Sequence, residues 1–268
     1  MILDDRSGAA WRVIRGDSLL VLRDLPAESV DAVITDPPYS SGGQFRGDRA
    51  GAASEKYARD DVSGPRAMAS LPEVEGDSRD QRAFLAWCSL WLADCHRIAK
   101  PGAFVGLFTD WRQLPTTTDA LQAGGFVWRG VAPWCKPTAR PQKGRLYQSS
   151  EFVVWGSKGP LPVDRPCPTI IGHWIASAPT TREHMTEKPV DVMRDLAKMC
   201  VPGGTILDPF GGAATTGVAA ILEGRRFLGI EVSPAYFDIA CRRLAEVEAG
   251  AERGSMKQGQ GALFGGAA

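Results

Sequence analysis

The chain has 268 residues, 44% of them hydrophobic and 23% charged. That is enough apolar content for one substantial core or two small ones, and it excludes a disordered or disulfide-stapled class. Basic and acidic residues number 31 each, so total charge does not advertise an anionic polymer as partner.

No apolar run is long enough to cross a bilayer, and Met1–Asp5 lacks the plan of a signal peptide, so a cytoplasmic protein is expected. Six scattered cysteines without a C-x-x-C pair, and three separated histidines, lead us to expect no metal. Along the chain, short apolar runs alternate with segments of helical period, the pattern of an α/β protein with a largely parallel sheet. Trp11–Arg15 is the first predicted strand and runs into Gly16 and Asp17. Val30–Thr35 is the second and stops at Asp36-Pro37-Pro38-Tyr39, where the prolines forbid further ladder bonding and hold the backbone extended. Asp36 is thereby fixed at the strand's carboxyl end, with Tyr39 expected to project beside it. Residues 40–81 hold six glycines among fourteen charges and show no apolar period. A stretch of this kind is either a mobile loop over a site or a disordered insertion.

Phe84, Trp87, Cys88, Trp91, Leu92, Cys95 and Ile98 recur at spacings of three and four, predicting an amphipathic helix over 81–99 that Pro101 and Gly102 end. Strands are expected at Ala103–Thr109, Phe126–Trp134 and Phe152–Trp155. Across 97–145, eight Lys and Arg residues stand against only Asp110 and Asp119. Within that stretch Lys136, Arg140, Lys143 and Arg145 are candidate phosphate contacts, the alternative being a solvated loop. Residues 159–183 carry five prolines and an apolar patch at Ile170, Ile171, Trp174 and Ile175, which reads as a small irregular insertion. Val190, Met193, Leu196 and Cys200 mark another helix.

Thr205–Leu207 is the next strand. It ends at Asp208 and continues through Pro209-Phe210-Gly211-Gly212-Ala213-Ala214-Thr215-Thr216 into a helix over Gly217–Leu222. A turn of such small residues lets a ligand approach the backbone near a helix N-terminus. Phe227–Ile230 ends at Glu231, where a doubly wound sheet often offers a carboxylate to a ribose diol; the alternative is a helix-capping charge before Ser233. Tyr236, Ala240, Leu244 and Val247 mark the last helix, and the glycine-rich stretch 249–268 reads as a flexible tail. Seven such strands suit one sheet, whose shared edge would gather Asp17, Asp36, Asp208 and Glu231 into one crevice.

These motifs resemble the S-adenosylmethionine-dependent DNA amino-methyltransferases, in the permuted β-class order in which D-P-P-Y precedes the cofactor loop. The likeness spans most of residues 10–247 and includes His184-x-Thr186-Glu187-Lys188-Pro189, similar to the family's H-x-T-x-K-P element. It departs at Ala213 and Ala214, where the family's loop carries Ser and Gly. The resemblance implies a Rossmann-like methyltransferase fold of about seven mostly parallel strands, one of them antiparallel, with a catalytic domain over 10–248. It implies S-adenosylmethionine as cofactor and double-stranded DNA as partner, with a short or relaxed recognition sequence read by 159–183 and the 40–81 loop. By the same analogy Asp208, Phe210 and Gly212 cradle the methionine half, with Gly211, Thr215 and Asp36 beside the cofactor. Glu231 holds the ribose hydroxyls, Asp17 the adenine amino group, and Thr186 with Lys188 the carboxylate end. Asp36 and the Pro37 carbonyl would accept hydrogen bonds from the target amino group, Pro38 stiffening them and Tyr39 stacking on the flipped base.

Asp rather than Ser at the head of D-P-P-Y favours adenine N6 over cytosine N4 as acceptor. The competing classes are an RNA or protein methyltransferase and a nucleotide-binding module without catalysis; intact Asp36-Pro37-Pro38-Tyr39 argues against the module. A nicotinamide enzyme is disfavoured because no predicted strand is followed by G-x-G-x-x-G. Homodimers are common in the resembled family and would suit Trp87 and Trp91 if their helix has a second exposed face. Gln260-Gly261-Ala262-Leu263-Phe264 resembles the Q-x-x-L-F peptide by which bacterial proteins dock on the sliding clamp.

Overall fold

The computed structural model describes residues 2–39, 79–137, 143–144, 146–176 and 188–250. Nine strands form one sheet: β1 (Asp4–Ser7), β2 (Trp11–Arg15), β3 (Val30–Thr35), β4 (Ala99–Thr109), β5 (Val127–Cys135), β6 (Ser150–Ser157), β7 (Trp174–Ile175), β8 (Thr205–Asp208) and β9 (Arg226–Glu231). Among the described residues six helices flank it: α1 (Ser18–Asp24), α2 (Gln81–Ile98), α3 (Leu114–Ala123), α4 (Val190–Ala197), α5 (Thr215–Leu222) and α6 (Pro234–Glu248). The spatial order of the strands is β1-β2-β9-β8-β3-β4-β6-β5-β7. The five central strands β2, β9, β8, β3 and β4 run parallel. Their near-continuous apolar runs follow from burial on both faces: α2 packs on α1 and α3 on one side, and α5 on α4 and α6 on the other. This is the mostly parallel α/β architecture that the sequence resemblance implies.

All seven predicted strands form, and β1 and β7 are added at the two edges. Two strands, β1 and β6, run against the rest where one was expected: β6 returns antiparallel between β4 and β5, and β1 folds back on β2. Pro101 and Gly102 do not sit beyond α2 but inside β4. There the register on β3 jumps from Val30↔Ala99 to Ala32↔Phe104 and Gly102 adopts φ +74°, a bulge that glycine accepts without a Cβ clash. Trp91 is fully buried and Trp87 partly buried, both packed on the core, and among the large apolar side chains of α2 only Leu90 is exposed. Most of the 40–81 loop (residues 40–78), His184, Thr186, Arg140 and Arg145, and the Gln260, Leu263 and Phe264 peptide lie outside the described residues.

β3 and β8 are paired in register only at Ala32↔Ile206 and Val33↔Leu207. From these two strands the chain crosses in opposite directions, β3 through α2 to β4 and β8 through α5 to β9. A crevice opens at such a switch point beyond the carboxyl ends of the strands.

Candidate active site at the carboxyl edge of the sheet

The rim carries one acid at the end of each central strand: Asp17 after β2, Glu231 on β9, Asp208 on β8, Asp36 after β3 and, not singled out from sequence, Asp110 after β4. Antiparallel β6 begins on this same edge, so Glu151, near its start rather than its end, joins them.

On the β8 and β9 side, Asp208 is almost wholly buried and holds three donors: Thr35 Oγ1 at 2.6 Å and the Phe210 amide at 3.0 Å on Oδ1, and Thr216 Oγ1 at 2.6 Å on Oδ2. It therefore fastens β3, the loop after β8 and the start of α5 to one another. Burial raises its pKa, the three donors opposing. In the loop, Gly212 adopts φ +51° and donates its amide to Glu231 Oε2 at 2.7 Å; Glu231 Oε1 accepts from the Ser233 amide at 2.8 Å. Glu231 is thus both the rim carboxylate and a local backbone cap, and burial pushes it up to about 7 against those two amides. Gly211 donates to the Ile230 carbonyl at 2.8 Å. Ala214, where the resembled loop has Gly, takes the left-handed φ +59° as N-cap of α5 without a side-chain cap, a conformation that costs an L-residue roughly 1–2 kcal/mol. Thr215 receives the Arg243 guanidinium at 3.4 Å. Asp17 is exposed and caps α1 through the Leu19 amide at 2.9 Å. The Phe210 ring packs against Trp87 and Trp91, at 5.0 and 5.1 Å between centroids.

On the β3 side the charges interlock. Lys188, 5% exposed, donates to Asp36 Oδ2 at 2.5 Å and lies 3.5 Å from Glu151 Oε2. Tyr39 donates its hydroxyl to Glu151 Oε2 at 3.1 Å, and Lys136 donates to Glu151 Oε1. The Lys188 ammonium also lies 5.5 Å from the Tyr39 ring centre and 5.2 Å from that of Phe108. Asp36 Oδ1 is shut from solvent and has no hydrogen-bond partner among the described residues. Burial pushes Asp36 up to about 6, with Lys188 pulling the other way and Glu151 and Asp208 adding to the rise. Burial would lower Lys188, but Asp36 and Glu151 outweigh it and keep the amine protonated. Glu151 is the mirror case, held below its usual value because Lys188 and Lys136 outweigh its burial.

The structure therefore brings Asp36, Tyr39, Asp208, Phe210, Gly211, Gly212, Thr215, Glu231 and Asp17 to one edge, and it revises three expectations. Lys188, expected at a cofactor's carboxylate end, here donates to Asp36. Lys136, expected to face a phosphate, here meets Glu151, because the β5–β6 register sets Cys135 opposite Ser150 and brings the two charges together. Tyr39 does not project freely; it is 5% exposed, with its hydroxyl tied to Glu151. Glu151 itself was missed, although an acid at the start of an antiparallel strand between parallel ones necessarily falls on their carboxyl edge.

The family described as DNA methylase matches residues 30–165 and 168–242, which include both the Asp36 and Asp208 loops. The chain belongs to the DNA methylase family. Among curated relatives, this methylase is 29% identical over 246 residues to a protein of Escherichia coli (strain K12) named "Putative methylase YubD", spanning 91% of the chain and 94% of that protein. It is 26% identical to the DNA adenine methyltransferase YhdJ of the same organism, over 88% of the chain and 83% of YhdJ. Among solved structures, the PvuII cytosine-N4-specific DNA methyltransferase superposes with a TM-score of 0.67 at 17% identity, covering 91% of the methylase and 90% of that chain. The M1.HpyAVI complex with SAM superposes at 0.62 with 22% identity, covering 87% and 98%. At these identities the two superpositions speak for the fold alone.

Proposed function

We propose that the methylase transfers a methyl group from S-adenosylmethionine to the N6 amino group of adenine in a base extruded from duplex DNA. The observation that carries this reading is Asp36 Oδ1, a buried acceptor with no donor among the described residues, at the end of a strand that Pro37 and Pro38 follow. The names of the curated YhdJ and of the HpyAVI complex support the acceptor and the cofactor respectively, and Asp at the head of the tetrapeptide favours adenine.

The rim fits the cofactor chemically. A sulfonium cation suits an edge lined by Asp36, Asp208 and Glu231, and each Glu231 oxygen, bound by a backbone amide, keeps a second lone pair for a ribose hydroxyl. Glu231, Gly211, Gly212, Phe210 and Asp17 are the residues that would hold it. When bound, S-adenosylmethionine supplies an electrophilic methyl group on sulfur.

An exocyclic amine on a base is a poor nucleophile, because its lone pair is delocalised into the ring. Asp36 Oδ1 and the Pro37 carbonyl, two acceptors at fixed angles, draw the N–H bonds aside and favour a pyramidal nitrogen with its lone pair turned to the methyl. Asp36 would accept the proton that the nitrogen sheds as it takes up the methyl group. Stacking of the base on Tyr39 requires the side chains covering its ring to part.

Nucleoside mass spectrometry of unmethylated duplex DNA, incubated with the protein and S-adenosylmethionine, tests the reading. N6-methyladenine that is absent with Asp36→Ala is the expected result. N4-methylcytosine would overturn the acceptor while keeping the mechanism, and no modified base would overturn the function.

A further inference from the structure

Asp36 must present one oxygen to the amine, and the structure shows how the other is kept occupied. Asp36 Oδ2 is taken by Lys188, whose ammonium is also within 3.5 Å of Glu151. Glu151 in turn receives Tyr39 and Lys136, so two carboxylates and two ammonium groups form a chain from β3 across the rim to the β5–β6 hairpin. We propose that Glu151 is a positioning residue for methyl transfer. By gripping the Tyr39 hydroxyl and the Lys188 ammonium together, it fixes the cation on Asp36 Oδ2 and leaves Oδ1 as the acceptor for the target amine. This rests on the proposed function in one respect only, that Asp36 is the acceptor.

Two features favour positioning over a mere structural staple. A buried lysine facing one aspartate could swing to bridge both of its oxygens, and a second anion on the far side of the ammonium removes that freedom. Tyr39, two residues beyond Pro37, is bound by the same Glu151 oxygen that faces Lys188, so one carboxylate sets both ends of the D-P-P-Y segment. Among the described residues, the charged and titratable groups around Asp36 are Lys188, Glu151 and Asp208, with Tyr39 bonded to Glu151, and Asp110 and Lys136 acting on Glu151.

Charge substitutions separate the two readings, because their effects on Asp36 carry opposite signs. Glu151→Gln removes an anion and leaves Lys188 to Asp36 alone, so Asp36 should titrate at lower pH. Lys188→Gln removes the cation, so Asp36 should titrate at higher pH. Displacements of about one unit each way are expected for groups at this range. The direct readout is the carboxyl carbon resonance of Asp36 in protein labelled at aspartate, assigned by loss in Asp36→Asn and followed with pH in the absence of cofactor and DNA. The second readout is the acid limb of the single-turnover methylation rate, which should move in the same directions. Glu151→Asp keeps the charge and should retain the wild-type limb at reduced rate, covering the case in which Glu151→Gln folds poorly. Titrations that stay put in all three variants, or that move in the same direction in both charge variants, overturn the proposal. If the resonance moves as expected while the wild type leaves DNA unmodified, the positioning holds and the assigned function fails.

Discussion

Asp208 offers a test of what holds the crevice together. Its carboxylate takes two hydroxyls and one amide in a site that is 2% exposed, so Asp208→Ala leaves the Phe210 amide without its acceptor and two hydroxyls to find others. At about 1–3 kcal/mol for each buried group left unmade, and with the hydroxyls free to rotate, the loss should be about 3–5 kcal/mol. For a chain of this size, each kcal/mol moves the melting temperature by roughly 2–4 °C, so a fall of roughly 10 °C is expected. Asp208→Asn should behave differently. Burial already disfavours the charge here, and the amide oxygen can keep Thr35 and Phe210 while its nitrogen donates to a turned Thr216 hydroxyl. Its cost should be about 1 kcal/mol or less. The sign of the pH dependence follows from the raised folded pKa: the wild-type carboxyl contributes most in acid and loses that contribution as pH rises through its folded pKa, so the gap to Asn should narrow with pH. Urea unfolding of the three proteins, with unchanged m values as the check on two-state behaviour, decides it. Equal losses for Ala and Asn would refute the reasoning, since they would mean that the charge and not the acceptors secures the joint.

Three other outcomes are expected. Affinity for S-adenosylmethionine should rise as pH passes through about 7, because the ionised Glu231 is the better acceptor and protonation below that value weakens it; titration calorimetry at pH 6 and 8 should show this, with Glu231→Gln flat. Tyr39→Phe should lose the hydroxyl's bonds to Glu151 and from Lys188, about 1–2 kcal/mol in denaturant unfolding, whereas Tyr39→Ala should also empty a buried ring site and cost about 3–5 kcal/mol. Neutralising Arg140, Lys143 and Arg145 should reduce the slope of log affinity for DNA against log salt by about 0.9 for each phosphate that is no longer neutralised. Lys136→Gln should leave that slope unchanged, since its ammonium is held by Glu151, and an equal reduction would return Lys136 to the DNA surface.

What the sequence revealed was set by burial. β3, β4, β8 and β9 are apolar runs because both sheet faces are covered, and β3, β8 and β9 end in or at an acid, so the Asp36, Asp208 and Glu231 rim was legible from one chain. β1 was not, because Asp4–Ser7 is wholly polar, largely exposed and held as an edge strand by pairing and by ion pairs such as Arg12 with Asp5. α3 was hidden because Thr116 and Thr117 turn inward, where Thr117 meets Thr109 at 2.9 Å and Gln113, so its buried face reads as polar. α1, of 7 residues, is too brief to show a period. Glu151 and the true partners of Lys136 and Lys188 depend on which strand runs antiparallel and on contacts spanning 15 to 152 positions, and local pattern carries neither.

The strand that opens the parallel set, β2, lies beside the last strand, β9, and the two ends of the fold are tied directly: the Ala10 amide to Glu248 at 2.6 Å and Arg6 to Asp238 at 2.8 Å. The sheet is thus closed in space between elements that are far apart in sequence, and the order in which its halves are read off the chain is a matter of connectivity more than of packing. A circular permutant that links residues near 2 and 250 and opens new termini within the exposed turn at 163–164 should keep every strand pairing described above, with the Asp208 half translated before the Asp36 half.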